Sequence, residues 1–171
     1  MTHVDEPALI AAAKTGKDAA FCELALHYRD RLLRFLIVRG VSRADAEDAT
    51  QDALVNAWRY LPSYDPRWSF STWLYRIALR QIPKKTATEV PLTGNEPVTP
   101  GHADAIDLDN VWRLAQQHLN HDAVSALWLK YAEGLKIRDI AHAMQRSQAW
   151  VKVSLMRSRR ALRAEVERTM T

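Results

Sequence analysis

The chain has 171 residues, 47% hydrophobic and 26% charged, proportions that suit one medium globular domain or two small ones. No apolar run approaches the roughly 18 residues that span a bilayer, and an N-terminus with Asp5, Glu6 and Pro7 lacks the order of a signal peptide, so a cytoplasmic location is expected. The single cysteine, Cys22, excludes an internal disulfide and reads as a small buried thiol with no chemical role.

In chain order, Phe21, Leu24, Ala25, Tyr28, Leu32, Phe35 and Leu36 follow a helical period over four turns, with Gly40 as the stop. A second helix is expected from Ser42, its N-cap, to Leu61, with Ala46, Ala53, Leu54, Ala57, Trp58 and Leu61 on one side and Pro62 at its end. A loop over residues 63–67 leads to an aromatic helix capped by Ser69 or Ser71 and ended by Pro83. There Phe70, Trp73, Leu74, Ile77 and Ala78 form the buried stripe and leave Trp68, Tyr75, Arg76 and Arg80 outside it. Flat π-faces beside fixed cations suit an unpaired nucleobase on a phosphodiester backbone; generous aromatic packing is the alternative.

From residue 82 to about 106, prolines, glycines and threonines replace the hydrophobic period, as in an extended linker. Beyond it come a helix with Leu108, Val111, Trp112, Ala115 and Leu119, and another with Val124, Leu127, Trp128 and Tyr131 that stops at Gly134. A short helix bearing Ile137, Ile140, Ala141 and Met144, a turn at 145–147 and a long basic helix with Val151, Leu155 and Leu162 inward complete the chain. No segment alternates long enough to be a strand. The expected fold is all-α, two small helical domains on a tether: residues 1–82, a linker over 83–107, and 108–171.

Net charge is only +4, but it is unevenly distributed. Six basic residues and no acid lie between Arg146 and Arg163, whereas Asp45, Glu47, Asp48 and Asp52 lie between Ala44 and Trp58 with no base. Short helix, turn and basic helix have the layout of a helix-turn-helix that enters the major groove, with Gln148, Lys152, Met156, Arg157 and Arg160 on the outer face; a solvated basic helix is the alternative. Asp45, Asp48 and Asp52, at i, i+3 and i+7, line one edge of their helix, either as a solvated face or as a dock for something basic. No nucleophile, metal cluster or phosphate-cradling loop stands nearby, so no enzyme chemistry is expected. His118 and His121 lack the companions of a metal site, and no cofactor is called for.

Taken in order, the segments Asp45-Ala-Glu-Asp-Ala-Thr-Gln-Asp-Ala-Leu-Val-Asn-Ala-Trp58, Phe70-Ser-Thr-Trp-Leu-Tyr-Arg-Ile-Ala78 and Glu133-Gly-Leu-Lys-Ile-Arg-Asp-Ile-Ala141, the last before a helix-turn-helix, resemble an extracytoplasmic-function sigma factor over roughly residues 10 to 165. The resemblance implies a region 2 module and a region 4 module, and with them a non-enzymatic subunit that binds core RNA polymerase and directs promoter recognition and opening. It implies that Asp45, Asp48, Gln51 and Asp52 dock on the clamp helices of the largest polymerase subunit, and that region 4 meets the flap of the second-largest. Tyr64, Arg67, Trp68, Ser69, Phe70, Trp73, Tyr75, Arg76 and Arg80 fall to the minus-ten element; Ser147, Gln148, Trp150, Lys152, Met156, Arg157 and Arg160 fall to the minus-thirty-five element. Promoter DNA and an anti-sigma factor are the further partners implied, with no membrane insertion.

Three departures from the family pattern stand out. Met144-Gln145 and Ala149-Trp150-Val151 replace Leu-Gly and Gly-Thr-Val around the turn, which implies a looser turn. Val153-Ser154 replaces a Ser-Arg pair, with one phosphate-binding cation fewer. Pro83 shortens the aromatic helix and leaves only Lys84 and Lys85 of its basic continuation. A sigma mimic that occupies an anti-sigma factor, and a dimeric helix-turn-helix regulator, are the competing readings.

Overall fold

A computed structural model describes residues 4–83 and 108–171; the expected linker beyond Pro83 lies outside the described residues. The described residues form helices and turns with no strand. The first helix, α1 (Glu6–Lys14), has no counterpart in the apolar periodicity because none of its residues is buried. It is set by Asp5, whose carboxylate caps Ala8 N at 3.2 Å, and by Pro7 in the first turn. Tyr28 holds it by donating its hydroxyl proton to Glu6 Oε2 at 2.5 Å.

Helix α2 (Asp18–Arg39) buries Phe21, Leu24, Tyr28, Leu32, Phe35 and Leu36, and ends at Gly40 in the left-handed region with φ of 106°. Cys22 is exposed, contrary to expectation, because it falls between the stripe positions Phe21 and Leu24. Helix α3 (Arg43–Tyr60) starts on the Ser42 hydroxyl and buries Ala46, Ala49, Ala53 and Ala57, whose small side chains let it approach its neighbours closely. Trp58, expected on that apolar side, is 51% exposed at its margin, where Nε1 donates to Asp18 Oδ1 at 3.2 Å. A 3-10 turn over Leu61–Ser63 follows. Helix α4 (Phe70–Arg80) takes Ser69 as N-cap and stops three residues before Pro83.

The second half comprises α5 (Leu108–His118), α6 (His121–Leu127), a wider π-helical turn over Trp128–Ala132, α7 (Ile137–Met144) and α8 (Gln148–Thr169). The wide turn shifts the helical register, so that Trp128 and Leu129 are buried while Tyr131, expected inward, is 52% exposed and accepts a bond from Arg159. Leu108 is also exposed, at the start of its helix.

The two halves do not stand apart. Their cores join where Phe35, fully buried, packs edge-on against Tyr75 at 5.0 Å and meets the Trp128 ring at 6.2 Å. Burying a side chain of this size contributes about 1.5–3 kcal/mol, so the seam is a real part of the core.

Candidate nucleic-acid interface

The acidic edge of α3 leaves Asp48, Gln51 and Asp52 exposed and Asp45 partly so. Among the described residues no ion pair reaches Asp45, Asp48 or Asp52, although Glu47 pairs with Arg43. Exposed Val55 and Trp58 continue the same helix toward its C-terminus. Carboxylates left without a cation beside exposed apolar surface suit a basic, partly apolar partner.

The loop before α4 is held from inside. Tyr64, expected as a base contact, is only 8% exposed: its ring packs on Phe70 and Trp73, and its hydroxyl donates to the Trp68 carbonyl at 2.6 Å. Lys14 of α1 donates to the Tyr64 carbonyl and lies 5.1 Å from its ring. Anchored in this way, the loop presents Arg67, which pairs with Asp65 at 2.7 Å, and the half-buried Trp68. The Arg67 bond holds the Asp65 carboxyl below its ordinary range.

On α4, Phe70 is buried and Trp73 partly buried, as the stripe requires. Tyr75 departs from its expected place outside the stripe: it is fully buried between Phe35 and the Glu133 carboxylate, to which its hydroxyl donates at 2.5 Å. Burial, with Glu133 adding to it, raises the Tyr75 pKa. The reason is the second half of the chain, which covers a face of α4 that would be solvent in an isolated bundle. Arg76 is half buried, its affinity for a proton lowered by burial and by the charge of Arg80. These two cations, with Arg67, Trp68 and Ser69, form the part of the expected minus-ten set that reaches the surface.

The C-terminal helix-turn-helix is closed more tightly than the departures implied. Gln145 adopts the left-handed conformation, φ 55° and ψ 44°, where a glycine would be at ease, and the Arg146 N–H reaches back to the Ala141 carbonyl at 3.0 Å. Ser147 then caps α8 by accepting from Trp150 N at 3.0 Å. Val151 and Leu155 are buried and Gln148, Lys152, Met156, Arg157 and Arg160 are exposed. Of the basic run, Arg146 pairs with Asp122, Arg159 with the Tyr131 hydroxyl and Arg163 with Glu167. That leaves Lys152, Arg157 and Arg160 with no ion pair among the described residues, on one outer face. Trp150 is held by the Arg146 guanidinium 4.9 Å from its ring.

Two of the imidazoles have structural partners. His121 Nδ1 lies 2.5 Å from the Arg39 carbonyl and His118 lies 3.8 Å from Glu165; no group of three or more potential metal ligands occurs among the described residues. Nothing in the periodicity or motifs points to His142, Arg138 or Glu133 as partners of the N-terminal half. His142 stacks on Trp68 with ring centroids 3.7 Å apart and planes 3° from parallel, and Glu133, its side chain 1% exposed, pairs with Arg31. Neither pairing has any local trace, since more than 60 residues separate the partners.

Residues 24–84 match the family described as Sigma-70 region 2, a span that runs from α2 through α4. Along its whole length the chain is similar to the RNA polymerase sigma-H factor of Pseudomonas aeruginosa, 29% identical over 95% of this chain and 94% of that one. It is also similar to the ECF RNA polymerase sigma-E factor of Haemophilus influenzae, 26% identical over 98% of each. In fold it resembles CnrH, solved in complex with the cytosolic domain of CnrY, with a TM-score of 0.70 and 24% identity over 93% of this chain and 95% of that one. A second likeness is to the sigma factor RpoE from Bartonella quintana, solved with the anti-sigma factor NepR, with a TM-score of 0.71 and 21% identity over 86% and 96%.

Proposed function

We propose that this chain, which belongs to the extracytoplasmic-function RNA polymerase sigma factors, binds core polymerase through the α3 edge, opens a promoter at its minus-ten element through the 64–80 surface, and reads the minus-thirty-five element with α8. The observation that carries this division of labour is the segregation of charge. Among the described residues, three carboxylates without an ion pair, Asp45, Asp48 and Asp52, line α3, and three cations without one, Lys152, Arg157 and Arg160, line α8, so polymerase and DNA would have separate places to bind. It acts as a non-enzymatic initiation subunit in the cytoplasm, where polymerase works, and no helix of the described residues is long and apolar enough to cross a membrane. Like RpoE in its complex with NepR, it would be held by a separate anti-sigma protein.

The magnitudes are consistent. Separating a base-pair step costs about 1.4 kcal/mol and stacking a freed base on an aromatic ring returns roughly 1–3 kcal/mol, so a few captured bases offset a few melted steps. A single small module on duplex DNA covers only about 600–1,000 Å² and binds largely through salt-sensitive phosphate contacts, so specificity needs polymerase to hold both modules at the correct separation. The test is transcription with purified core polymerase and this protein on a randomised promoter library. Protein-dependent discrete starts are expected, and they yield both elements. Core binding without starts would instead favour a mimic that sequesters an anti-sigma factor.

A further inference from the structure

We propose that Lys14, on the helix that precedes the residues matched to region 2, is a positioning residue for the minus-ten surface: it locks the Tyr64 carbonyl and, through Tyr64, fixes the backbone that presents Trp68. This rests on the assignment of the 64–80 surface to promoter opening. Tyr64 has three polar groups, and each is held. Its N–H donates to the Leu61 carbonyl at 3.0 Å, its hydroxyl donates to the Trp68 carbonyl at 2.6 Å, and its own carbonyl accepts from Lys14 Nζ at 3.1 Å. The same ammonium lies 5.1 Å from the centre of the Tyr64 ring, so one cation engages both the backbone and the aromatic face of this residue. The Trp68 N–H in turn donates to the Asp65 carbonyl at 3.1 Å, and both backbone polar groups of Trp68 are thereby occupied.

Helix α1 is placed for this by its two ends. At its start Glu6 accepts from the Tyr28 hydroxyl, and the Tyr28 ring packs at 5.5 Å on Phe70, the first residue of α4. At its last residue Lys14 reaches Tyr64, just after the 3-10 turn. One helix therefore braces both ends of the segment that joins this turn to α4. None of its residues is buried, and Leu9, Ile10 and Ala13 are only partly so, which leaves these polar tethers a large share in holding it. A flipped base gains most from a platform that already stands in its binding conformation, because ordering a loop on binding subtracts from affinity. With its ammonium engaged by Tyr64, Lys14 acts on DNA through the loop and not through phosphate.

Two measurements on the full chain test this with Lys14→Met, which keeps an alkyl stem and removes the donor, and with Lys17→Met as a control for lost charge. Losing a hydrogen bond from a charged group shifts the balance between held and loose loop about tenfold. Hydrogen exchange read by mass spectrometry should therefore be about tenfold faster over residues 63–69 in Lys14→Met, with α3 and α8 unchanged. Mixed with core polymerase on a promoter taken from the library starts, the variant should co-purify with core as the wild type does. Its promoter opening, read as permanganate reactivity of unpaired thymines, should fall about threefold or more, equally at low and high salt. Lys14→Arg, whose guanidinium can donate to the same carbonyl and lie over the same ring, should restore both readouts. Unchanged exchange, faster exchange with undiminished opening, or an equal loss in Lys17→Met overturns the proposal. A loss that disappears at high salt also overturns it, because Lys14 would then be meeting phosphate directly. Absence of starts with the wild-type chain alone is failure of the sigma reading; it overturns the functional half of the proposal, while exchange decides whether Lys14 orders the loop.

Discussion

Trp68 and Tyr75, seven residues apart, are sorted by burial: the first is half-buried, the second enclosed. Tyr75 is fully enclosed and its hydroxyl meets a buried carboxylate, so Tyr75→Phe is expected to cost about 2 kcal/mol in urea unfolding, the worth of a hydrogen bond to a charged group. His142 supplies a second test. Burial, then the charge of Arg76, lowers its pKa below the ordinary 6.5, with Arg138 and Arg80 adding and Asp139 opposing; Asp65 also feels its charge. The neutral ring is the one that stacks on Trp68 and accepts from Arg76. Its contribution is therefore complete above about pH 6.5 and lost as pH falls through the depressed value. Thermal melting between pH 8 and 5 should show an acid-side loss that disappears in His142→Ala.

Among the elements, the ends of helices carry more of the design than their middles. Gly40 ends α2 with φ of 106°, and a Cβ there would come within 2.7 Å of His121 Cε1, in the seam between the halves. Gly40→Ala thus combines left-handed strain, costing roughly 1–2 kcal/mol, with a displaced His121, and the expected loss by chemical denaturation is about 2 kcal/mol or more. At the other end of the chain, Gln145 takes a left-handed conformation without being glycine, and so keeps the turn that sets α8 against α7. The three cations on α8 are proposed to act through phosphate and base edges. Arg157→Ala is expected to weaken duplex binding and to reduce the slope of log affinity against log salt by about 1, measured by titration at several salt concentrations.

For the molecule as a whole, the proposal assigns its partners by the pattern of charge. Reversing two carboxylates with Asp48→Lys and Asp52→Lys should abolish co-purification with core polymerase while leaving the melting temperature close to wild type, because both side chains are exposed and lack an ion pair among the described residues. A large fall in melting temperature instead would mean that the acidic edge supports the fold. The two halves share one seam, in which Trp68 meets His142 of α7 and Arg31 meets Glu133.

The helices themselves were legible because apolar period and caps are local: Ser42, Ser69 and Ser147 all serve as the N-caps that their positions imply, and Gly40 ends its helix. The separation of acidic from basic helices was legible for the same reason. α1 escaped notice because it buries nothing of its own, and Tyr131 was misplaced because a π-helical turn shifts the register in a way that a 3.6-residue period does not encode. Trp58 and Cys22 were placed inward on helical spacing, which does not fix where a stripe's margin meets solvent. The sequence by itself determined the all-α fold, the N-caps of α3, α4 and α8 and the two charged faces. Only the tertiary structure decided that Tyr75 and Tyr64 are core, and that Trp68 faces His142, because burial and stacking between distant segments depend on how the two halves meet and leave no mark on either segment's own periodicity.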